Sequence, residues 1–399
     1  MPHYKYLIIG GGMTAAAAIE GIREADTDGA IGLISAESNP PYNRPPLSKG
    51  LWKGKSVDDI WREVERRDVA LHLGREATAL DLANKQVTDD GGTGYTFDRL
   101  LLATGGAPRR LPGSDAAGDI IYYRTLDDYV RLRDLADARA RFAVIGGGFI
   151  GSEIAAALAM RGKDVVMLFP EAGIGAGRFP EDLARNLIDY YREKGVDVRP
   201  KALVDGVTRQ GDTFIVRARR VDTEQVEEIP VDGVVAGIGI RPNTALAQAA
   251  GLVVEDGIVV DERLRTSHPD VFAAGDVAAF YNAALDRRLR VEHEDNANTM
   301  GKMAGRNMAG GVARYDYLPY FYSDLFDLGY EAVGEFDATM EMAADWQDPY
   351  RKGVVYSLQE GRVRGVLLWN VWDQVDAARQ LIAEPGPFTR GDLVGRIPG

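Results

Sequence analysis

An apolar strand pattern, a glycine turn and an alanine-rich helix pattern occur twice in this chain, as YLIIGGGMTAAAAIEGI from Tyr6 and RFAVIGGGFIGSEIAAALA from Arg141. Each fits G-x-G-x-x-G/A, through Gly10, Gly12 and Ala15 in the first copy and Gly146, Gly148 and Gly151 in the second. In that setting the first glycine permits a sharp turn and the second lets the backbone approach a pyrophosphate. The small third residue lets helix and strand pack closely. The phosphates would lie on free amides at the positive end of the helix dipole. Each copy continues into a second strand that ends in an acid, Glu37 of AIGLISAE and Glu171 of DVVMLFPE, 22 residues after Ala15 and 20 after Gly151. A carboxylate at about that distance accepts hydrogen bonds from an adenosine ribose. Two dinucleotide-binding units are the simplest fold for such a chain.

The repeat extends beyond the glycines. FDRLLLATGGAP (Phe97 to Pro108) matches VDGVVAGIGIRP (Val231 to Pro242), with Asp98 and Asp232, Gly105 and Gly239, and Pro108 and Pro242 each 134 residues apart. A turn-rich stretch with alternating β signals precedes each match and predicts a small antiparallel sheet over a crossover. At 399 residues and 45% apolar, the chain is long enough to bury two or three domain cores.

Composition removes several chemistries. With no cysteine, the chain has no redox disulfide, no thiol nucleophile and no Cys-ligated iron–sulfur cluster. His3, His72, His268 and His293 lack metal-ligand spacing, so no metal is expected. No run approaches the ~18 apolar residues of a membrane span. A net charge of −13 disfavours nucleic acid and anionic membrane surfaces. The apolar N-terminus lies inside the first glycine unit, so it does not read as a cleaved leader, and a cytoplasmic location is expected.

In HPDVFAAGDVAAFY, Asp276 follows a buried-type strand; such a carboxylate suits a polyol, or is simply a Gly-Asp turn. Taken with the two glycine units and LLATGGAPR, this order of signals resembles the flavoprotein pyridine-nucleotide reductases of the glutathione-reductase fold. Within them the chain is most similar to the apoptosis-inducing factor and ferredoxin-reductase branch, which works without a disulfide. The runs PPYNRPPLSKGLW, LFPE, RRLRVEHEDNA, YSDLFDLGYEAVG and GVLLWNVWDQVDAARQLI carry the resemblance along essentially the whole chain. Three departures stand out: no transit peptide or anchor, a C-terminal region too short for the animal factor's insertion, and Tyr322 where tryptophan is usual.

The resemblance implies FAD in the first cradle and NADH in the second, with hydride passing from nicotinamide to flavin and electrons leaving for an acceptor. It implies that Arg44 contacts FAD, that Lys49 of RPPLSKG approaches the flavin, and that Glu153 pairs with Lys49. Thr104, Gly105 and Arg109 would line the FAD passage, with Gly239 in the matching place. Asp276 would hold the ribityl chain, while Phe149, beside Ile150, would cover the nicotinamide pocket. Glu292 and His293 would lead a helix whose N-terminus faces the flavin pyrimidine. Lys49, Glu153 and His293 are the catalytic candidates.

The expected architecture is α/β, with an FAD domain at 1–112 and 236–312, an NAD domain at 113–235 inserted within it, and a C-terminal α/β domain at 313–399. In the last, two strands turn at Glu360-Gly361 and a helix follows through QVDAARQLIA, whereas the tail EPGPFTRGDLVGRIPG reads as loosely ordered. Three functions compete. The first is an NADH-dependent reductase of a ferredoxin- or rubredoxin-type carrier. The others are an NADH oxidase or quinone and small-molecule reductase, and a redox-sensing NAD-binding interaction protein. Either a monomer or a homodimer would serve.

Overall fold

A computed structural model describes residues 1–113, 119–337 and 339–399. Positions 114–118, at the start of the range expected for the NAD domain, lie outside the described residues. The fold is the expected α/β class. Its α-helices in chain order are α1 (Met13–Ala25), α2 (Leu126–Ala138), α3 (Phe149–Met160), α4 (Glu181–Glu193), α5 (Ala245–Ala249), α6 (Glu294–Met308), α7 (Val375–Ala383) and the single turn α8 (Arg390–Leu393). None of them is long and apolar enough to cross a membrane.

The chain forms two compact units. The first comprises Met1–Arg44, Ser56–Ala107 and Arg241–Phe321, and the second Pro45–Lys55, Pro108–Ile240 and Tyr322–Gly399. In the first unit, strands Val69–Leu73, Ile31–Ser35, His3–Ile9 and Gly94–Leu102 lie side by side in parallel, and Val271–Ala273 joins the far edge of Gly94–Leu102. The strand Ile31–Ser35 is buried along its whole length, because a parallel strand between helical layers has no solvent face. The hairpin Ala77–Asp81 and Gln86–Asp89 extends this sheet antiparallel, as its alternating pattern predicts.

The second unit repeats the plan. Strands Val196–Arg199, Asp164–Leu168, Arg141–Ile145, Gly233–Ala236 and Ile121–Tyr122 form a five-stranded parallel sheet in the same spatial order. The three strands Ala202–Gln210, Thr213–Arg220 and Val226–Val231 form the expected antiparallel sheet. The two copies differ in the fifth strand. It comes from late in the chain in the first unit and from early in the second, which is what inserting one copy into the other produces.

Helix α1 packs on α6 through small residues. A Cβ at Gly21 would strike the Lys302 carbonyl, one at Gly301 the Thr14 carbonyl, and one at Gly305 the Ala18 carbonyl. The backbones therefore lie closer than larger residues allow.

The C-terminal residues form an antiparallel sheet in which Leu328–Gly334, Arg362–Trp369, Lys352–Gln359 and Glu341–Asp348 are successive neighbours. Its turn falls at Glu360-Gly361, both with positive φ, and α7 follows as expected. The tail corrects the sequence reading. Thr389 and Asp392 form a capping box, Leu393 and Ile397 are buried, and Gly395 donates its N–H to Asp345 at 2.7 Å. Two buried apolar side chains in sixteen residues are a weak periodic signal, yet they suffice to dock the segment.

Candidate functional site

The three small positions of each glycine motif have different causes. Gly10 and Gly146 have φ of +110° and +117°, and a Cβ on either would run into the carbonyl of Ala103 or Gly237. Ala15 is fully buried, and a Cβ at Gly151 would overlap the Gly146 carbonyl. The middle glycines are another matter. Gly12 and Gly148 have ordinary φ of −88° and −87°. A Cβ at Gly12 would meet only the Arg44 Nη2 atom, at 4.0 Å, and one at Gly148 would meet nothing within 4 Å. Neither conformation nor packing within the protein requires glycine there. The open space suits a pyrophosphate lying against the backbone.

The helix ends agree. At α1 and α3 the N-cap is glycine without a side-chain cap, and the first turn holds no acid. By contrast α2 has a Thr125–Asp128 capping box, and α4 and α6 carry two acids each in their first turns. The free amides and positive dipole ends of α1 and α3 are therefore left for an anion.

Beside the first cradle, Glu37 forms an ion pair with Arg44 and accepts a hydrogen bond from the Tyr42 hydroxyl at 2.6 Å. Tyr42 also accepts from Arg44 at 3.2 Å. Gly275, with φ +77°, comes so close to Thr14 that a Cβ would strike its hydroxyl. This draws Asp276 alongside the first turn of α1, where it acts electrostatically on Arg44. Thr104 and Asn243 exchange hydrogen bonds of 2.8 and 2.9 Å, and Asn243 also donates its N–H to the Gly105 carbonyl at 2.9 Å. Glu292 accepts from Arg290 at 2.5 Å. His293 is the N-cap residue of α6 and stacks on Phe321 with centroids 4.7 Å apart. Glu294 and Asp295 in the first turn offset part of the positive potential expected at that helix end.

In the second unit Lys49 and Glu153 form a 2.6 Å ion pair with side chains 14% and 3% exposed. Sequence reasoning missed two further partners. Ser48 and Ser323 each donate a hydroxyl to the Glu153 carboxylate at 2.5 Å. The signal for Ser48 lay beside Lys49 in the motif, but nothing local marks Ser323. The Lys49 ammonium stands 5.2 Å from the centre of the Tyr322 ring. Burial, and then the Glu153 charge, push the hydroxyls of Tyr191 and Tyr330 well above the ordinary tyrosine range.

Next to the second cradle, Phe149 lies under the Arg178 guanidinium at 4.7 Å. These two and Tyr330 leave a cavity of only about 10 Å³. Ile150 is partly exposed, and Glu171 is exposed shortly beyond the strand Asp164–Leu168. Arg109 is exposed; its N–H donates to the Gly239 carbonyl at 2.9 Å and its Nε to the Ile240 carbonyl at 3.2 Å. It thus belongs to the second unit, whereas Gly10, Thr104 and Gly105 belong to the first.

Comparison with known proteins agrees with this geometry. Residues 4–301 match the model of the pyridine nucleotide-disulphide oxidoreductases, and residues 339–384 match the C-terminal region of mitochondrion-associated apoptosis-inducing factor. The chain is 36% identical to the ferredoxin reductase subunit of the 5,5'-dehydrodivanillate O-demethylase of a Sphingobium species, over 91% of this chain and 89% of that protein. It is 33% identical to apoptosis-inducing factor 1 of Dictyostelium discoideum, over 95% of this chain and 78% of that protein. The crystal structure of the covalent putidaredoxin reductase–putidaredoxin complex superposes with a TM-score of 0.88 at 30% identity, over 97% of this chain and 94% of that one. Although it has no cysteine, the chain belongs to the pyridine nucleotide-disulphide oxidoreductase family.

Proposed function

We propose that this protein is an FAD-dependent NADH reductase that delivers electrons to a ferredoxin-type carrier. The observation that carries the reading is the pair of middle glycines, Gly12 and Gly148, whose missing side chains answer to nothing in the protein itself. FAD would lie on the first cradle, held by Glu37, Arg44, Thr104 and Asp276, and NADH on the second, held by Glu171. The FAD domain would comprise 1–112 and 236–312, the NAD domain 113–235 and the C-terminal domain 313–399. When bound, FAD accepts a two-electron equivalent from the nicotinamide and releases electrons singly.

The chain's own part is positioning and electrostatics. Glu153, held by two serine hydroxyls, directs the Lys49 ammonium and holds it in a largely buried setting. Phe149, with the Arg178 guanidinium stacked on its ring, would cover the nicotinamide side of the second cradle. Glu171 selects the dinucleotide by accepting ribose hydroxyls and repelling a 2′-phosphate. Loss of a charge-assisted hydrogen bond costs roughly 1.5–3 kcal/mol. Glu171→Ala is therefore expected to weaken NADH binding about 10- to 100-fold, measured by anaerobic titration. Equal use of NADPH and NADH by the unaltered protein would overturn that assignment.

Resemblance to ferredoxin reductases supports a small iron–sulfur protein as acceptor. The net charge of −13 repels an acidic carrier at long range, so docking would depend on a local basic surface. The test reduces the yellow holoprotein anaerobically with NADH and mixes it separately with ferredoxins, a quinone, free flavin and oxygen. Fastest reoxidation by an iron–sulfur protein, sensitive to salt, is expected. Fastest reoxidation by oxygen or quinone would make the protein an oxidase or quinone reductase. Slow reoxidation by all of them, with persistent long-wavelength absorbance, would favour the redox sensor.

A further inference from the structure

The first unit has a polar cavity of about 190 Å³, whose lining includes Arg99, Arg263, Arg265 and Asn307. It lies away from the glycine cradle. Arg99 sits three residues before Leu102, where its strand ends, and the cavity takes in the C-terminal end of α6 around Asn307 and Gly310. The fifteen residues of α6 separate this end from His293 by about 22 Å.

The charges here are unbalanced. Asp270 pairs with both Arg99 and Lys85. Asp261 pairs with Arg265 at 2.7 Å and accepts the backbone N–H groups of Arg263 and Arg265, each at 2.9 Å. Three guanidinium groups thus line the cavity, and those of Arg99 and Arg265 are paired with carboxylates. Arg263 has no ion pair among the described residues, and its Nε is buried without a hydrogen-bond partner. An unpartnered buried guanidinium nitrogen is costly unless something satisfies it. Helix C-termini do attract cations, but none of the three guanidinium groups bonds a carbonyl of α6 among the described residues. The frame is fixed: Asn307, 6% exposed, donates to the Arg263 carbonyl at 3.0 Å and the Ala313 carbonyl at 2.9 Å.

From this we infer that the cavity is a binding site for a small phosphate-bearing anion, separate from both dinucleotide cradles. Guanidinium groups bind a phosphoryl group through paired N–H donors. The guanidinium of Arg263, which has no ion pair among the described residues, supplies the surplus positive charge that an anion would meet. At 190 Å³ the site is below the ~300–1,000 Å³ typical of drug-sized ligands, which limits the occupant to about the size of pyrophosphate or a short phosphate monoester. A nucleic-acid backbone does not fit, since the net charge of −13 repels a polyanion.

The experiment uses FAD-loaded protein saturated with NAD⁺, so that both cradles are filled, at low ionic strength. Calorimetric titration with pyrophosphate is compared with inorganic phosphate, citrate and chloride. Saturable pyrophosphate binding is expected, weakened at least tenfold in Arg263→Gln and less in Arg263→Lys, with thermal melting confirming that both variants fold. Arg99→Gln supplies a second, independent variant and is expected to weaken binding as well. No pyrophosphate binding at millimolar concentration, or equal binding by Arg263→Gln, overturns the site. Citrate binding tenfold tighter than pyrophosphate overturns the phosphoryl assignment.

Discussion

A valine at position 148 is expected to leave the protein folded and loaded with FAD while NADH affinity falls at least about 100-fold, a loss of about 2.7 kcal/mol. The backbone there has φ −87° and ψ −165°, an extended conformation with the negative φ of ordinary residues, and no protein atom lies within 4 Å of the new Cβ. The added methyl groups would fill the space left for the pyrophosphate. Two neighbours serve as controls. Gly151→Val would force a side chain into the Gly146 carbonyl, and Gly146→Val would also require a β-branched residue at φ +117°. Those two are expected to lose stability by several kcal/mol, whereas Gly148→Val should melt within about 1 kcal/mol of the parent, as substitutions clear of packing usually do. Circular dichroism melting and anaerobic NADH titration separate the two effects. Unchanged NADH affinity in Gly148→Val would remove the nucleotide from the second cradle.

The parallel sheets were legible because their signals are local. An apolar run, a glycine turn and a small-residue helix lie within about twenty residues, and their repetition at fixed spacing gave the duplicated plan. The turn at Glu360-Gly361 and α7 were legible for the same reason. What sequence reading missed depends on distant partners. Ser323 reaches Glu153 across 170 positions and Ser48 does so across 105, and no period or motif encodes such pairings. The pairing of Lys49 with Glu153 came through resemblance, since neither residue predicts the other by spacing. The engagement of Glu37 by Arg44 and Tyr42 was missed because an acid at a strand end reads equally as a ribose ligand or as half of an ion pair.

Removing the Glu153 carboxylate is expected to destabilise the protein far more than removing the Lys49 ammonium, although the two form one ion pair. After Lys49→Met, Glu153 would still accept hydroxyls from Ser48 and Ser323, so its charge would keep two strong hydrogen bonds. After Glu153→Ala, an ammonium only 14% exposed would lose its counter-charge, and two hydroxyls on residues 6% and 0% exposed would lose their acceptor. Breaking a buried pair so as to leave an uncompensated charge costs about 3–5 kcal/mol. Glu153→Ala is expected in that range and Lys49→Met at about 1.5 kcal/mol, the lower end of the cost of one charge-assisted bond. The double variant Lys49→Met/Glu153→Ala strands no charge and should be more stable than the sum of the single losses, because residues in one network do not add. Denaturant titration of the FAD-loaded variants gives the stabilities, and stopped-flow mixing with NADH gives the rate of flavin reduction. Lys49→Met should slow that rate with the smaller loss of stability, whereas Glu153→Ala should lower both strongly. Equal destabilisation by the two single variants, or strict additivity in the double, would mean that the serine hydroxyls do not hold the carboxylate in place.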